Sequence, residues 1–325
     1  MIYRMVYLIM LFPLALFASH DNGCFEDSNC FDIAVKDFTW FDDSRDRQIP
    51  ARIYYPLNKP DKSAVIIFSH GLGGSCKGYE YLGRYWAGCG FVSVHIQHKG
   101  SDEDVWKNQK QPYKQMQKAA NYTNTKNRPL DVSFTIDSLE QLNISDEDIK
   151  GKLDLTKIGV AGHSFGSNTT MLISGQKVII LGFEKSFRDE RVKAAIAMSS
   201  PVPDNKRLLK KIYADVNIPV FHMTGTNDNS PIGNTKAVDR RIPFDYSNDA
   251  DTYLLILTNG DHMAFSGRQA TGRDDSNDEI FHKLICTSST AFGQAYLNDD
   301  QSAKKWLKDE ECKKTCDSHA SFETK

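Results

Sequence analysis

The 325-residue chain has no excess of charge of either sign. Forty Lys and Arg stand against forty-two Asp and Glu, a net of −2, and the basic residues are scattered rather than blocked. That removes the electrostatic footprint a nucleic-acid partner needs. The sequence also lacks internal repeats, low-complexity tracts, an H-E-x-x-H pair, a P-loop and a dinucleotide-binding glycine pattern. No metal centre and no cofactor is therefore called for. Beyond residue 17 no apolar run approaches the ~20 residues of a membrane span, and nothing in the sequence sets an oligomeric state.

What is present begins with the first residues. Arg4 precedes an apolar run from Met5 to Phe17, followed by Ala18 and the polar stretch Ser19-His20-Asp21. A charged start, a short apolar core and a small residue at the exit read as a secretory leader over residues 1–18. The run is too short, and holds Pro13, for a stable span. An exported chain keeps disulfides. Seven cysteines follow the leader: Cys24, Cys30, Cys76, Cys89, Cys286, Cys312 and Cys316. Cys24–Cys30 and Cys312–Cys316 are the local candidates for pairing. Cys76 and Cys89 flank a predicted helix whose ends lie roughly 20 Å apart, beyond disulfide reach. Cys312, Cys316 and His319 fall one ligand short of a zinc site. The division expected is a leader over 1–18, one domain over 19–311, and a short polar tail over 312–325.

Residues 33–41 and 48–55 read as paired opening strands. The continuous apolar run Ala64–Phe68 reads as a buried parallel strand. A helix over 78–88 and a strand over 91–96 follow. Arg128–Leu142 reads as a helix with Pro129 at its start. Strands are expected at 158–161, 192–198, 219–223 and 253–257, and a final helical region over 278–307. Alternating strands and helices imply an α/β fold, a mostly parallel sheet covered on both faces. Such sheets place their chemistry just past the carboxyl ends of the strands.

The strand at 157–161 runs into Gly162-His163-Ser164-Phe165-Gly166, a G-x-S-x-G between strand and helix. Small neighbours let the backbone turn tightly and lift the Ser164 hydroxyl above the sheet. Ser164 is the expected nucleophile, with the Phe165 N–H pointing at the reacting carbonyl. A serine needs a base, and in this strand–turn–helix context the chain order is serine, acid, histidine. His262 fits, in the loop after strand 253–257; His222 sits inside a strand, His282 on a helix and His319 in the tail. Upstream, His70-Gly71-Leu72-Gly73-Gly74 closes another strand and offers the Leu72 N–H as a second oxyanion donor. His98, Gly100, Ser101 and Asp102 close the strand 91–96 at the active-site edge, where they are expected to shape the pocket wall. The polar stretch 103–127, with Trp106, is a long connection suited to a lid or rim.

FSHGLGG and GHSFG resemble the platelet-activating-factor acetylhydrolases and the bacterial hydrolases labelled dienelactone-hydrolase-like. Arg128–Phe134, Gly225–Asp228 and the segment from Ala291 to Leu297 resemble the bacterial group. Polyester-cleaving cutinase-like hydrolases are more distant. The resemblance spans roughly residues 45–308 and implies the α/β-hydrolase fold with a serine, acid and histidine. Dienelactone hydrolases proper use a cysteine, which Ser164 replaces here. In the acetylhydrolases the acid lies at the end of the strand matching 192–198, where this chain has Ser199. Asp204 follows behind Pro201 and Pro203. Asp228, in Thr224-Gly225-Thr226-Asn227-Asp228, holds the usual position of the bacterial relatives and is the expected acid. Asp261 adjoins His262, where consecutive side chains tend to diverge. The expectation is a serine carboxylic-ester hydrolase acting on a small-molecule or lipid ester. A phospholipase A2-type lipid hydrolase and a non-catalytic exported binding protein are the alternatives.

Overall fold

A computed structural model describes residues 31–247, 251–268 and 273–325. The expected leader, with Cys24 and Cys30, lies outside the described residues. Strands β1 (Ile33–Asp42), β2 (Arg47–Pro56), β3 (Ser63–Ser69) and β4 (Val92–Ile96) surround the first helix, α1 (Glu80–Gly88). Helices α2 (Pro112–Ala119) and α3 (Tyr122–Ser145) lead to β5 (Leu153–His163) and α4 (Phe165–Ile173). A small hairpin, β6 (Val178–Ile180) and β7 (Phe183–Lys185), precedes β8 (Val192–Met198), α5 (Leu209–Tyr213) and β9 (Val220–Asn227). The chain continues through α6 (Ile242–Tyr246), β10 (Thr252–Asp261), α7 (Asp278–Leu297), α8 (Gln301–Lys308), α9 (Glu310–Cys316) and β11 (Ala320–Thr324).

The main sheet has nine strands in the order β1-β2-β4-β3-β5-β8-β9-β10-β11. Neighbours from β4 to β10 run parallel; β2 is antiparallel to both β1 and β4, and β11 is antiparallel to β10. This is the α/β-hydrolase fold. The apolar run in β3 explains why both faces must be covered. Ile66 and Phe68 point into a core with Trp86 of α1 and Phe292 of α7, while Val65 and Ile67 point into another with Ile136 of α3 and Ile212 of α5. Successive strand residues face opposite ways, so a strand apolar at every position needs helices on each side.

Three sequence expectations change. The stretch 103–127 is no open connection: it holds a short 3-10 turn, all of α2 and the first turns of α3. Pro129 does not start α3 but lies inside it; Asn121 caps the helix, its side chain accepting the Asn124 N–H at 3.0 Å. The expected tail over 312–325 belongs to the domain. β11 pairs with β10 from Tyr253↔Thr324 to Leu257↔Ala320, and Phe322 packs in the core against Phe221 and Tyr253. Two inward residues, Ala320 and Phe322, are too short an alternation to announce a strand.

The cysteine expectation also changes. Cys76, Cys89, Cys286, Cys312 and Cys316 are all buried, and none of the five is joined in a disulfide. Cys312 and Cys316 lie one turn apart on α9, where Cβ atoms stand about 5–6 Å apart. A disulfide wants roughly 3.5–4.5 Å, so the helix holds them as neighbours rather than as a bridge. Among the described residues no cluster of three or more His, Cys, Asp or Glu could hold a metal ion. Nor is any helix among them long and apolar enough to cross a membrane.

Candidate active site

β5 delivers Ser164 at its carboxyl end. The Ser164 backbone sits at φ 58°, ψ −118°, a conformation that non-glycine residues adopt only when held there. The hold is visible: Ser164 N–H donates to the Met198 carbonyl of β8 at 2.9 Å. The flanking glycines are steric necessities. A side chain at Gly162 would strike the Gly166 carbonyl, and one at Gly166 would strike the Ser69 carbonyl.

Three side chains from three strand ends meet in one line. His262 Nε2 lies 2.9 Å from Ser164 Oγ, and His262 Nδ1 lies 2.7 Å from Asp228 Oδ1. Asp228 is fully buried, yet both its oxygens are matched: Ser199 Oγ and Thr224 Oγ1 donate to Oδ2 at 2.6 and 2.9 Å. The two hydroxyls fix the carboxylate plane, so Oδ1 faces the ring. The ring then carries its proton on Nδ1 and leaves Nε2 free to accept from Ser164.

The other aspartates lie elsewhere. Asp204 is exposed, beyond Pro201 and Pro203. Asp261 caps the turn that carries His262, accepting the Met263 and Ala264 N–H groups at 3.0 Å, and pairs with Arg273 at 2.8 Å. His222 is buried in β9. His282 lies on α7, its ring at 3.0 Å from the Ala264 carbonyl.

Neither the Leu72 N–H nor the Phe165 N–H is spent on a partner among the described residues. Phe165 opens α4, whose first amides have no intrahelical acceptors. Leu72 lies in a turn closed by Gly74 N–H to Gly71 O at 3.0 Å. Gly73 N–H donates to the Ser101 carbonyl, and Trp106 Nε1–H to the Gly73 carbonyl, at 2.9 and 2.8 Å.

Beneath that turn is a buried polar network, of which only fragments are legible in the sequence. Arg128 donates to Thr169 Oγ1 and Ser101 Oγ, both at 2.9 Å, and to the His70 carbonyl, and its guanidinium lies 4.8 Å from the centre of the Phe165 ring. One buried cation thus braces both segments that carry the free N–H groups. Deeper still, His98 touches Ser69 Oγ at 3.0 Å and Asp131 at 2.8 Å. Arg47 and Arg45 complete the Asp131 shell at 2.7 and 2.8 Å. Ser69–His98–Asp131 repeats the atoms and distances of the site above it, but in an extended strand and sealed from solvent.

Arg240 was not foreseen at all, since no motif surrounds it. It is buried against the acid: Nη1 donates to the Ser199 carbonyl at 2.7 Å, Nε to the Asp228 carbonyl at 3.0 Å, and Nη2 stands 3.3 Å from Asp228 Oδ1. Burial lowers its affinity for a proton, and the Asp228 carboxylate opposes that. Tyr79 is a second unforeseen residue. Its hydroxyl contacts His163 Nδ1 at 2.8 Å and accepts the Gly71 N–H at 3.3 Å, tying the elbow to the glycine turn.

The site opens into a cavity of about 390 Å³ whose lining includes Leu72, Trp106, Met116, Ile232, Met263 and Arg268. That size is within the roughly 300–1,000 Å³ usual for small-molecule sites. The stretch 103–127 forms part of its wall, as expected of a rim. Tyr113 of α2 donates to the Pro231 carbonyl at 2.8 Å, joining the wall to the loop after β9. Arg268 makes no side-chain ion pair among the described residues.

Five buried histidines give the protein an acid weakness. Burial pushes His95 down to about 4 and His98 and His222 down to about 3. Burial also pushes His70 and His163 well below the usual range, helped by Arg128 and by His262 respectively. All five are neutral in the folded protein but take up protons near pH 6.5 when unfolded. Their stabilisation is therefore complete above pH 6.5 and drains as pH falls towards 4. Each contributes a slope of up to ~1.4 kcal/mol per pH unit. Guanidinium melts at pH 7.5, 6 and 5 should show a steep, monotonic fall in midpoint; a flat profile would refute buried neutral histidines.

Residues 43–138 match the family model of platelet-activating factor acetylhydrolase, isoform II. That stretch holds the glycine turn and the Arg128 and Asp131 network, and ends before the elbow. Over 298 residues the chain is 21% identical to the platelet-activating factor acetylhydrolase of Cavia porcellus, covering 80% of this chain and 63% of the relative. Over 302 residues it is 23% identical to that of Canis lupus familiaris, covering 79% and 62%. The chain thus spans less than two thirds of the length of these curated relatives. By fold it is an α/β-hydrolase, and by sequence it is similar to the platelet-activating factor acetylhydrolases, a family of serine esterases of that fold.

Proposed function

We propose that the protein is a serine carboxylic-ester hydrolase working through an acyl-Ser164 intermediate. The observation that supports this best is the hydrogen-bonded line Ser164–His262–Asp228, ending at a strained elbow on an apolar cavity. In this reading Ser164 Oγ attacks the ester carbonyl as His262 Nε2 takes its proton. Asp228 stabilises the imidazolium that forms. The carbonyl oxygen gains negative charge and is met by the Leu72 and Phe165 N–H groups. His262 returns the proton to the leaving alcohol, then takes one from water to free the acid and regenerate Ser164. The steps as written use side chains, backbone amides and one water. An exported setting rests on the leader-like sequence of residues 1–18.

The second reading, a phospholipase A2-type hydrolase of short-chain or oxidised phospholipids, is favoured by Arg268. Among the described residues it has no ion-pair partner, and it lines an otherwise largely apolar cavity, suited to a lipid phosphate. p-Nitrophenyl esters of increasing acyl length and short-chain phosphatidylcholines, assayed with the wild type and Arg268→Ala, distinguish the two. If the phosphate is read, Arg268→Ala should raise KM for the phospholipid about tenfold and leave the neutral esters unchanged. Equal effects on both would leave the general esterase. No turnover of any ester would favour a non-catalytic binding protein.

A further inference from the structure

The β6–β7 hairpin leaves the body at the far end of α4 from Ser164, roughly 13 Å along the helix. Its root is fixed. Lys177 N–H donates to the Ile212 carbonyl at 2.8 Å, Asp189 N–H to the Ile173 carbonyl at 3.1 Å, and Ile179 packs on the core. Its tip is Ile180-Leu181-Gly182-Phe183. Leu181 is 93% exposed, Phe183 80% and Ile180 43%. Such a run of exposed apolar residues marks an interaction site or a liability.

The turn itself makes the choice of residues telling. Its two central residues, Leu181 and Gly182, have φ of 50° and 84°. A two-residue hairpin loop with both φ positive favours Asn-Gly, Asp-Gly or Gly-Gly. Leucine is disfavoured there by its backbone and by its exposure at once, and among the described residues nothing covers it to compensate. The surroundings are basic. Lys177 pairs with Asp215 at 2.8 Å and shares Glu184 with Lys211 at 3.2 and 2.7 Å, while Lys185 and Lys210 are exposed, make no ion pair among the described residues and are the two left for headgroups.

We propose that this tip docks the protein on an anionic lipid surface, with Leu181 and Phe183 entering the acyl boundary and the lysines meeting the headgroups. Apolar insertion with electrostatic attraction is how small peripheral devices hold a bilayer. A protein partner suits the feature less well. The tip is convex and narrow, whereas a stable protein interface buries upwards of about 1,000 Å². The strands, of three residues each, offer little edge for a second copy. The inference does not depend on the esterase reading, because the hairpin lies away from the cavity.

The test is co-sedimentation of the full chain with vesicles of ether-linked lipids, which an esterase leaves intact. One set is phosphatidylcholine alone and the other contains phosphatidylglycerol. The variant is Leu181→Asn with Phe183→Thr; asparagine suits the turn, so the thermal midpoint should hold or rise. The wild type should bind the anionic vesicles, release with added salt, and lose at least about tenfold in partitioning on substitution. Soluble-ester turnover, where present, should be equal in both. Equal vesicle binding by wild type and variant, or binding by neither, would overturn the proposal. So would a wild-type dimer in solution that the variant abolishes, since the tip would then be covered by a second copy.

Discussion

Ser164→Ala is expected to lower kcat by about 10⁴–10⁶-fold with the fold unchanged, as removal of an activated serine does elsewhere. The fold should survive because among the described residues Ser164 Oγ has one partner, His262 at 2.9 Å, while the elbow is held through the backbone. A fluorophosphonate probe gives the matching readout: stoichiometric labelling of the wild type and none of the variant. Ser69 is the internal control. It too faces a histidine that faces an aspartate, at 3.0 and 2.8 Å. But it is closed to reagents, and burial beside Arg128 holds His98 down to about 3, too weak a base to take its proton near neutrality. Near wild-type turnover in folded Ser164→Ala, or labelling that persists there, would end the proposed mechanism.

Asp228→Asn should cost about 10⁴-fold in kcat, and Asp204→Asn very little. The first removes the charge that stabilises imidazolium and the acceptor that sets the ring's tautomer. An amide can offer Nδ1 its NH₂ instead of its oxygen, turning the ring's proton towards Ser164. The buried setting sharpens the loss, because Arg240, 3.3 Å from Oδ1, would then face the histidine without the intervening charge. Asp204, exposed and past two prolines, has no such neighbours. Assays of the two variants side by side decide the matter. A large loss at Asp204 with activity retained at Asp228 would reassign the acid while leaving Ser164 and His262 in place.

The parts of the site that were legible are those that sterics and chain order write locally. The Gly162 and Gly166 pattern records a backbone collision, and Asp228 and His262 each follow a strand of recognisable composition. What escaped was long-range. Arg240 reaches Ser199 across 41 residues and Arg128 reaches His70 across 58. A lone arginine in a polar stretch carries no sign of which carbonyl it will meet. Arg128 and Asp131 lie in a segment that resembles the bacterial hydrolases, but their roles depend on Ser101, Thr169, His98 and Arg47 arriving from elsewhere. In the fold, β3 announced itself because both its faces are buried. β11 did not, since an edge strand of five residues with two inward side chains looks like any polar end.

The pairing of Ser199 with Asp228 bears on how such sites diverge. The tips of β8 and β9 lie side by side, and their side chains meet 2.6 Å apart over one carboxylate position. In the acetylhydrolases that this chain resembles, the acid belongs to the first of those tips; on the mechanism proposed here the second supplies it, and the first contributes the Ser199 hydroxyl. The two residues can therefore exchange roles over evolutionary time through a lineage carrying acids at both tips, without moving the histidine. Ancestry would then be read more safely from the place the carboxylate occupies than from its order along the chain.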